Sequence, residues 1–186
     1  MRPLDPKKRE KILTTAIALF VKKGYYGATS TDLADKTKMS SAHMYTYFED
    51  KEDLLTKAIL RMKDEHTALS TEISSMSVRF DDERFIELFY EAQEKIYHRV
   101  RFIINCMLMP ELADLFEGID FNYSEVFLPY LYDWPEEQAA HTARALASIS
   151  AGYFLIGDIE GAKAASVNVL SNARANKTTQ GGTTHE

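Results

Sequence analysis

Apolar residues along this chain recur every three to four positions and nowhere alternate, so the pattern predicts helices throughout and no strand. Over residues 6–23, Ile12, Ala16, Leu19 and Phe20 form one stripe with Leu13 and Ile17 beside it, and Gly24 is placed to stop the helix. A short second helix begins at Thr29, whose hydroxyl can cap free amides, with Asp32 three residues on as in a capping box. Leu33 and Ala34 carry its core face. Ser40 caps a third helix, on which Met44 and Phe48 point inward at i, i+4 spacing. That leaves Ser41, Ala42, His43, Tyr45 and Tyr47 turned toward solvent or a partner. Asp50 caps a fourth helix, with Glu52 and Asp53 in the first turn, where the helix dipole favours acids, and this helix runs to about Leu69.

Farther on, residues 71–79 (TEISSMSVR) read as a polar break. A helix follows from Asp81, its stripe made of Phe85, Leu88, Phe89, Ala92, Ile96, Val100 and Ile103, and Pro110 interrupts it. Residues 120–134 are rich in aromatic side chains. Pro135 opens a helix predicted through Gly161, a last helix spans residues 161–174, and residues 175–186 have no periodicity and are predicted to form a disordered tail. The fold class is therefore all-α.

Composition bounds what such a chain can be. With 186 residues and 45% apolar content, a packed core is feasible. The single cysteine, Cys106, excludes an internal disulfide framework and a Cys-rich zinc site. No signal peptide or membrane span is legible, so the expected compartment is the cytoplasm. The net charge of −6 is unevenly placed: residues 1–48 hold nine Lys or Arg and four acids, giving +5, and the remainder carries −11. A polyanion is therefore expected to dock at the first end and not at the other.

The first helix with Ile12-Leu13, Ala16, Phe20 and Gly24, the second with Thr29 and Leu33-Ala34, and the run Tyr45-x-x-Phe48-x-x-Lys51 together resemble the DNA-binding domain of TetR-type (tetracycline-repressor-like) transcriptional regulators. The resemblance covers residues 6–66, with the helix-turn-helix at 29–48. Beyond it, residues 67–174 resemble such regulators only in being helical, and are expected to form an effector-binding and dimerisation domain. The resemblance implies DNA contacts from Thr29, Ser30 and Thr31, from Ser41, Ala42 and His43 at the start of the recognition helix, from Tyr45 and Tyr47, and from Lys51 to a phosphate. Lys7, Lys8, Arg9 and Lys11 can add attraction independent of sequence. Two departures stand out. Thr37-Lys38 replaces the usual Ala-Gly of the turn, where a positive φ is costlier for lysine, and His43 replaces a small residue and should alter base preference.

For the rest of the chain, small residues crowd the helix from Pro135, among them Ala139, Ala143, Ala147, Ala151 and Gly152. The resemblance implies a homodimer through the last two long helices, which would present two recognition helices to a palindromic operator. Phe102, Cys106, Met107, Tyr123, Phe127, Tyr130, Tyr153 and Phe154 are the candidate lining of a pocket for an apolar or aromatic small-molecule effector. The function expected is a repressor released from double-stranded DNA by that effector. Two other classes compete with this one. Glu87, Glu91, Glu94 and His98 share a helix face at spacing that can bind a metal, but they lie opposite the apolar stripe, as a solvated face does. No phosphate loop or nucleophile motif accompanies them, so neither an enzyme nor a metal or cofactor site is expected. A helical protein-binding module without DNA affinity is the third class.

Overall fold

The computed structural model describes residues 4–180, and every regular element among them is helical. Seven α-helices follow in order: α1 (Pro6–Gly27), α2 (Ser30–Thr37), α3 (Ser41–Met44), α4 (Lys51–Met76), α5 (Asp82–Met107), α6 (Glu136–Ile156) and α7 (Ile159–Gln180). Short 3-10 turns lie at Ser77–Arg79, Pro110–Phe116 and Tyr123–Phe127. No helix among the described residues is long and apolar enough to cross a membrane.

The chain divides into two compact units: residues up to 65 with 98–119, and residues 66–97 with those from 120 onward. The return of 98–119 to the first unit departs from the expected division into 6–66 and 67–174. Its cause is side-chain packing: Phe102 stacks on Phe20 with ring centroids 6.1 Å apart, Arg99 pairs with Glu65, and Cys106 and Leu112 are buried.

In the first unit the predicted stripe of α1 is the core, with Ile12, Leu13, Ala16, Ile17, Leu19 and Phe20 all buried. Gly24 interrupts α1 with φ 74° and ψ 170°, and one further turn carries buried Tyr25 before Ala28. Leu33, Met44, Phe48, Leu54, Leu55, Ala58 and Ile59 close this core from α2 to α4.

The second unit is built on aromatic contacts. Phe85 stacks on Tyr130 at 3.7 Å, Phe89 meets Phe127 at 4.8 Å, and Tyr90 meets Tyr153 edge-on at 5.5 Å. Three elements differ from expectation here. α4 does not break at residue 70 but continues to Met76, because Ser70, Ser74 and Ser77 face inward and are buried. The helix predicted from Pro135 to Gly161 ends at Ile156, where Gly157 takes the left-handed conformation and Asp158 caps α7 through the Gly161 N–H at 2.9 Å. α7 also outruns its predicted end at 174, so residues 175–180 are helix rather than tail. Arg174, bound to the Asp82 carboxylate at 2.8 Å and set over the Trp134 ring, anchors these last turns. The remainder of the predicted tail, 181–186, lies outside the described residues.

Candidate nucleic-acid interface

The segment 29–48 is held from its caps inward. Asp32 N–H donates to Thr29 Oγ1 at 3.1 Å, while the Thr29 N–H and hydroxyl donate back to the Asp32 carboxylate at 3.1 and 2.9 Å. Lys23 reaches the same carboxylate at 2.6 Å, and its hydrogen bond, ahead of those from Thr29, holds Asp32 at a pKa of about 2. The Thr29 hydroxyl is thus committed to the cap. Ser30 and Thr31 remain at that end, and Ser30 Oγ shares a 2.8 Å hydrogen bond with the Tyr45 hydroxyl.

α3 is a single turn. Ser40 Oγ accepts the His43 N–H at 3.2 Å, and Met44 and Phe48 are buried as anchors. The helix expected through Phe48 stops at Met44 because the backbone bonds tighten, with Tyr47 N–H donating to Met44 O at 2.9 Å. The Thr46 hydroxyl also donates to His43 O at 2.7 Å. The anchors leave Ala42 and His43 exposed and Ser41, Tyr45 and Tyr47 half-buried, with the His43 ring edge-on to Tyr47 at 5.6 Å. The structure therefore brings Ser30 at the start of α2, Ser41, Ala42 and His43 on α3, and Tyr45 and Tyr47 in the turn after it within one short stretch of chain.

The basic residues divide. Lys51 opens α4, yet its ammonium stands 4.4 Å over the Tyr25 ring and its pKa is lowered by desolvation. Arg9 lies over Phe48 at 5.1 Å, and Lys11 Nζ donates to Thr37 O at 2.7 Å. Lys38 ends α2 with φ 60° and ψ 36°, the left-handed geometry that the Ala-Gly departure put in question. Sequence reasoning singled out Lys38 for its backbone and counted its charge only within the +5 of residues 1–48. It missed Tyr25, whose signal was an aromatic residue directly after the helix-stopping Gly24.

The candidate effector residues separate between the units. Phe102, Cys106 and Met107 belong to the first, where Phe102 packs on Phe20, Met107 is exposed, and burial pushes the Cys106 thiol up to about 11, an inert state. Tyr123, Phe127, Tyr130, Tyr153 and Phe154 belong to the second and line an interior that is unexpectedly polar. His66 Nε2 bonds Gln93 Oε1 at 2.8 Å, and Gln93 Nε2 donates to Ser70 Oγ at 2.9 Å and to the Tyr123 hydroxyl at 3.2 Å. The His66 ring stacks on Tyr123 at 4.3 Å. Beside them the Tyr90 hydroxyl bonds Ser166 at 3.2 Å, while Ser74 Oγ is buried without a partner among the described residues. His66, Ser70, Ser74 and Gln93 escaped the sequence reading because each residue type ordinarily sits at a surface. Glu87, Glu91, Glu94 and His98 are exposed, as a solvated face requires.

Known proteins converge on this region. Residues 12–58 match the family model for bacterial regulatory proteins of the tetR family. Over 55 residues the chain is 40% identical to the HTH-type transcriptional regulator HbdR of Aromatoleum sp. (strain CIB), a match covering 27% of this chain and 24% of that protein. Over 51 residues it is 33% identical to IcaR of Staphylococcus epidermidis, the HTH-type negative transcriptional regulator of the biofilm operon icaADBC, covering 27% and 28%. The matched segment thus spans about a quarter of either relative. The crystal structure of the multidrug binding protein EbrR complexed with malachite green superposes with a TM-score of 0.61 at 16% identity, covering 88% of this chain and 98% of that one. That likeness extends to the helical fold as a whole.

Proposed function

We propose, since residues 12–58 match the family model for bacterial regulatory proteins of the tetR family and the named relatives are transcriptional regulators, that the chain is a TetR-type, homodimeric, sequence-specific repressor released from a palindromic operator by a small-molecule effector. One observation carries the DNA reading: buried Met44 and Phe48 fix a turn whose outer side offers Ser41, Ala42, His43, Tyr45 and Tyr47, at the basic end of an acidic chain. Ala42 and His43 read base edges, and the bonded Ser30–Tyr45 pair takes a phosphate, each hydroxyl keeping acceptor capacity and one keeping a donor.

The effector reading rests on the second unit. Its aromatic walls suit an aromatic molecule, and EbrR, a protein of similar fold, is complexed with malachite green, an aromatic dye. The His66–Gln93–Ser70–Tyr123 network and the Ser74 hydroxyl, unpartnered among the described residues, add a requirement for a hydrogen-bonding group, which refines the purely apolar expectation. α4 is the proposed lever, since one continuous helix carries Lys51 at its start and His66, Ser70 and Ser74 farther along. Coupling of this kind is typically about 1–3 kcal/mol.

The test is a mobility shift on DNA flanking the chain's own gene at two salt concentrations. Sequence-dependent retardation that weakens with salt is expected. Equal affinity for every duplex, or none, would sink the reading.

A further inference from the structure

The turn between α2 and α3 places a lysine where the backbone favours glycine. Lys38 is the single non-glycine residue with positive φ among the described residues. The fold imposes this geometry: the Lys38 and Met39 N–H groups both donate to Ala34 O, the Thr37 hydroxyl donates to Leu33 O at 2.8 Å, and Lys11 holds Thr37 O. The side chain is not imposed, because Lys38 is exposed and its ammonium has no ion-pair or hydrogen-bond partner among the described residues. A left-handed residue with a Cβ is destabilising, and glycine relieves it. Strain that persists without a packing return is a mark of functional sites.

Lys38 gains position. Together with Lys7, Lys8 and Lys11 it borders an open groove of about 570 Å³ that reaches Ser40 and His43, and no carboxylate lines it. The ammonium groups of Lys7 and Lys8 likewise lack partners among the described residues. Three unpaired cations converge beside the residue placed to read a base.

We propose that this groove is a binding site for the sugar–phosphate backbone of duplex DNA, with Lys38 as its contact to a phosphate, at a position whose backbone favours an uncharged glycine. The inference rests on the DNA-binding reading above. A phosphate contact is independent of sequence, so no operator is needed to test it.

Binding of the full chain to a mixed-sequence duplex, followed by fluorescence anisotropy over a salt series, is paired with thermal unfolding. Lys38→Gly and Lys38→Asn remove the charge and relieve the backbone, whereas Lys38→Arg keeps both. Lys95→Asn, in the second unit, controls for net charge. Both neutral variants should unfold roughly 2–4 °C higher. They should also bind every duplex more weakly, with a log–log salt slope smaller by about 1. Lys38→Arg and Lys95→Asn should keep the slope. A more stable Lys38→Gly whose slope and affinity match the unaltered protein overturns the phosphate contact alone. A Lys38→Gly no more stable than the parent overturns the claim of strain. If the unaltered protein shows no salt-dependent binding to any duplex, the DNA reading falls and this inference with it.

Discussion

His66 shows how a single residue can set the acid response of its unit. It lies in the interior of the second unit, where burial pulls its pKa from 6.5 to about 4 and the Gln93 hydrogen bond opposes this only in part. Gln93 uses its amide nitrogen on Ser70 and Tyr123, so its carbonyl oxygen accepts, and His66 must present Nε2–H as a neutral imidazole. The unfolded chain therefore takes up this proton first as pH falls. Stability from a neutral His66 is fully present above pH 6.5 and drains away down to about pH 4, by on the order of 3 kcal/mol at the end of that window. Urea unfolding across this range should show a steeper loss for the parent chain than for His66→Gln, which cannot protonate. Parallel losses in the two proteins would show that His66 is not held neutral.

At the level of elements, the corner between α6 and α7 depends on Gly157. Its φ of 79° closes α6, and a Cβ added there would stand 3.2 Å from the Tyr97 hydroxyl. Gly157→Ala should lower the unfolding free energy by about 1–2 kcal/mol while far-UV circular dichroism stays unchanged. A variant as stable as the parent would mean that the corner relaxes into another turn. The same corner explains what was legible in the sequence. Caps are local chemistry, so Thr29–Asp32, Ser40 and Asp50 marked their helix starts correctly, and each cap hydrogen bond is present. Gly157 and Gly161 were not separable on local grounds. One ends α6 with a left-handed φ that favours glycine, and the other sits where a Cβ would meet the capping Asp158 carboxylate, whose side chain would have to shift. The end of α4 was misread for a different reason. Buried Ser70, Ser74 and Ser77 follow helical spacing, but they look polar until partners distant in sequence, Gln93 and Tyr123 for Ser70, are known. The candidate DNA residues were legible because they are what the anchors Met44 and Phe48 leave outside. The effector residues were not, since aromatic content alone could not separate Phe102, packed on Phe20, from Tyr123 in the polar interior.

For the whole molecule, charge and symmetry set opposing demands. The chain is +5 over residues 1–48 and −11 beyond, so one copy is attracted to DNA through one short region only. A single helix-turn-helix reads one half-site, and a second copy related by a two-fold axis doubles the basic surface against the duplex. On α6, Ala151 and Leu155 lie exposed on one face with Ser148, and Ile156 beside them is 78% exposed. A helix face of this kind is suited to close approach by a copy of itself, where every change occurs twice. Ala151→Glu would set two carboxylates near the axis with no cation added to meet them. Sedimentation should then find the 21.2 kDa chain alone, whereas the proposed dimer of the unaltered protein should sediment at twice that mass. Affinity for a duplex with two half-sites should fall to that for one half-site, with single-half-site binding and helix content unchanged. A variant that remains dimeric places the interface on another face, and a variant that turns monomeric yet keeps full affinity for the paired site would separate operator recognition from dimerisation.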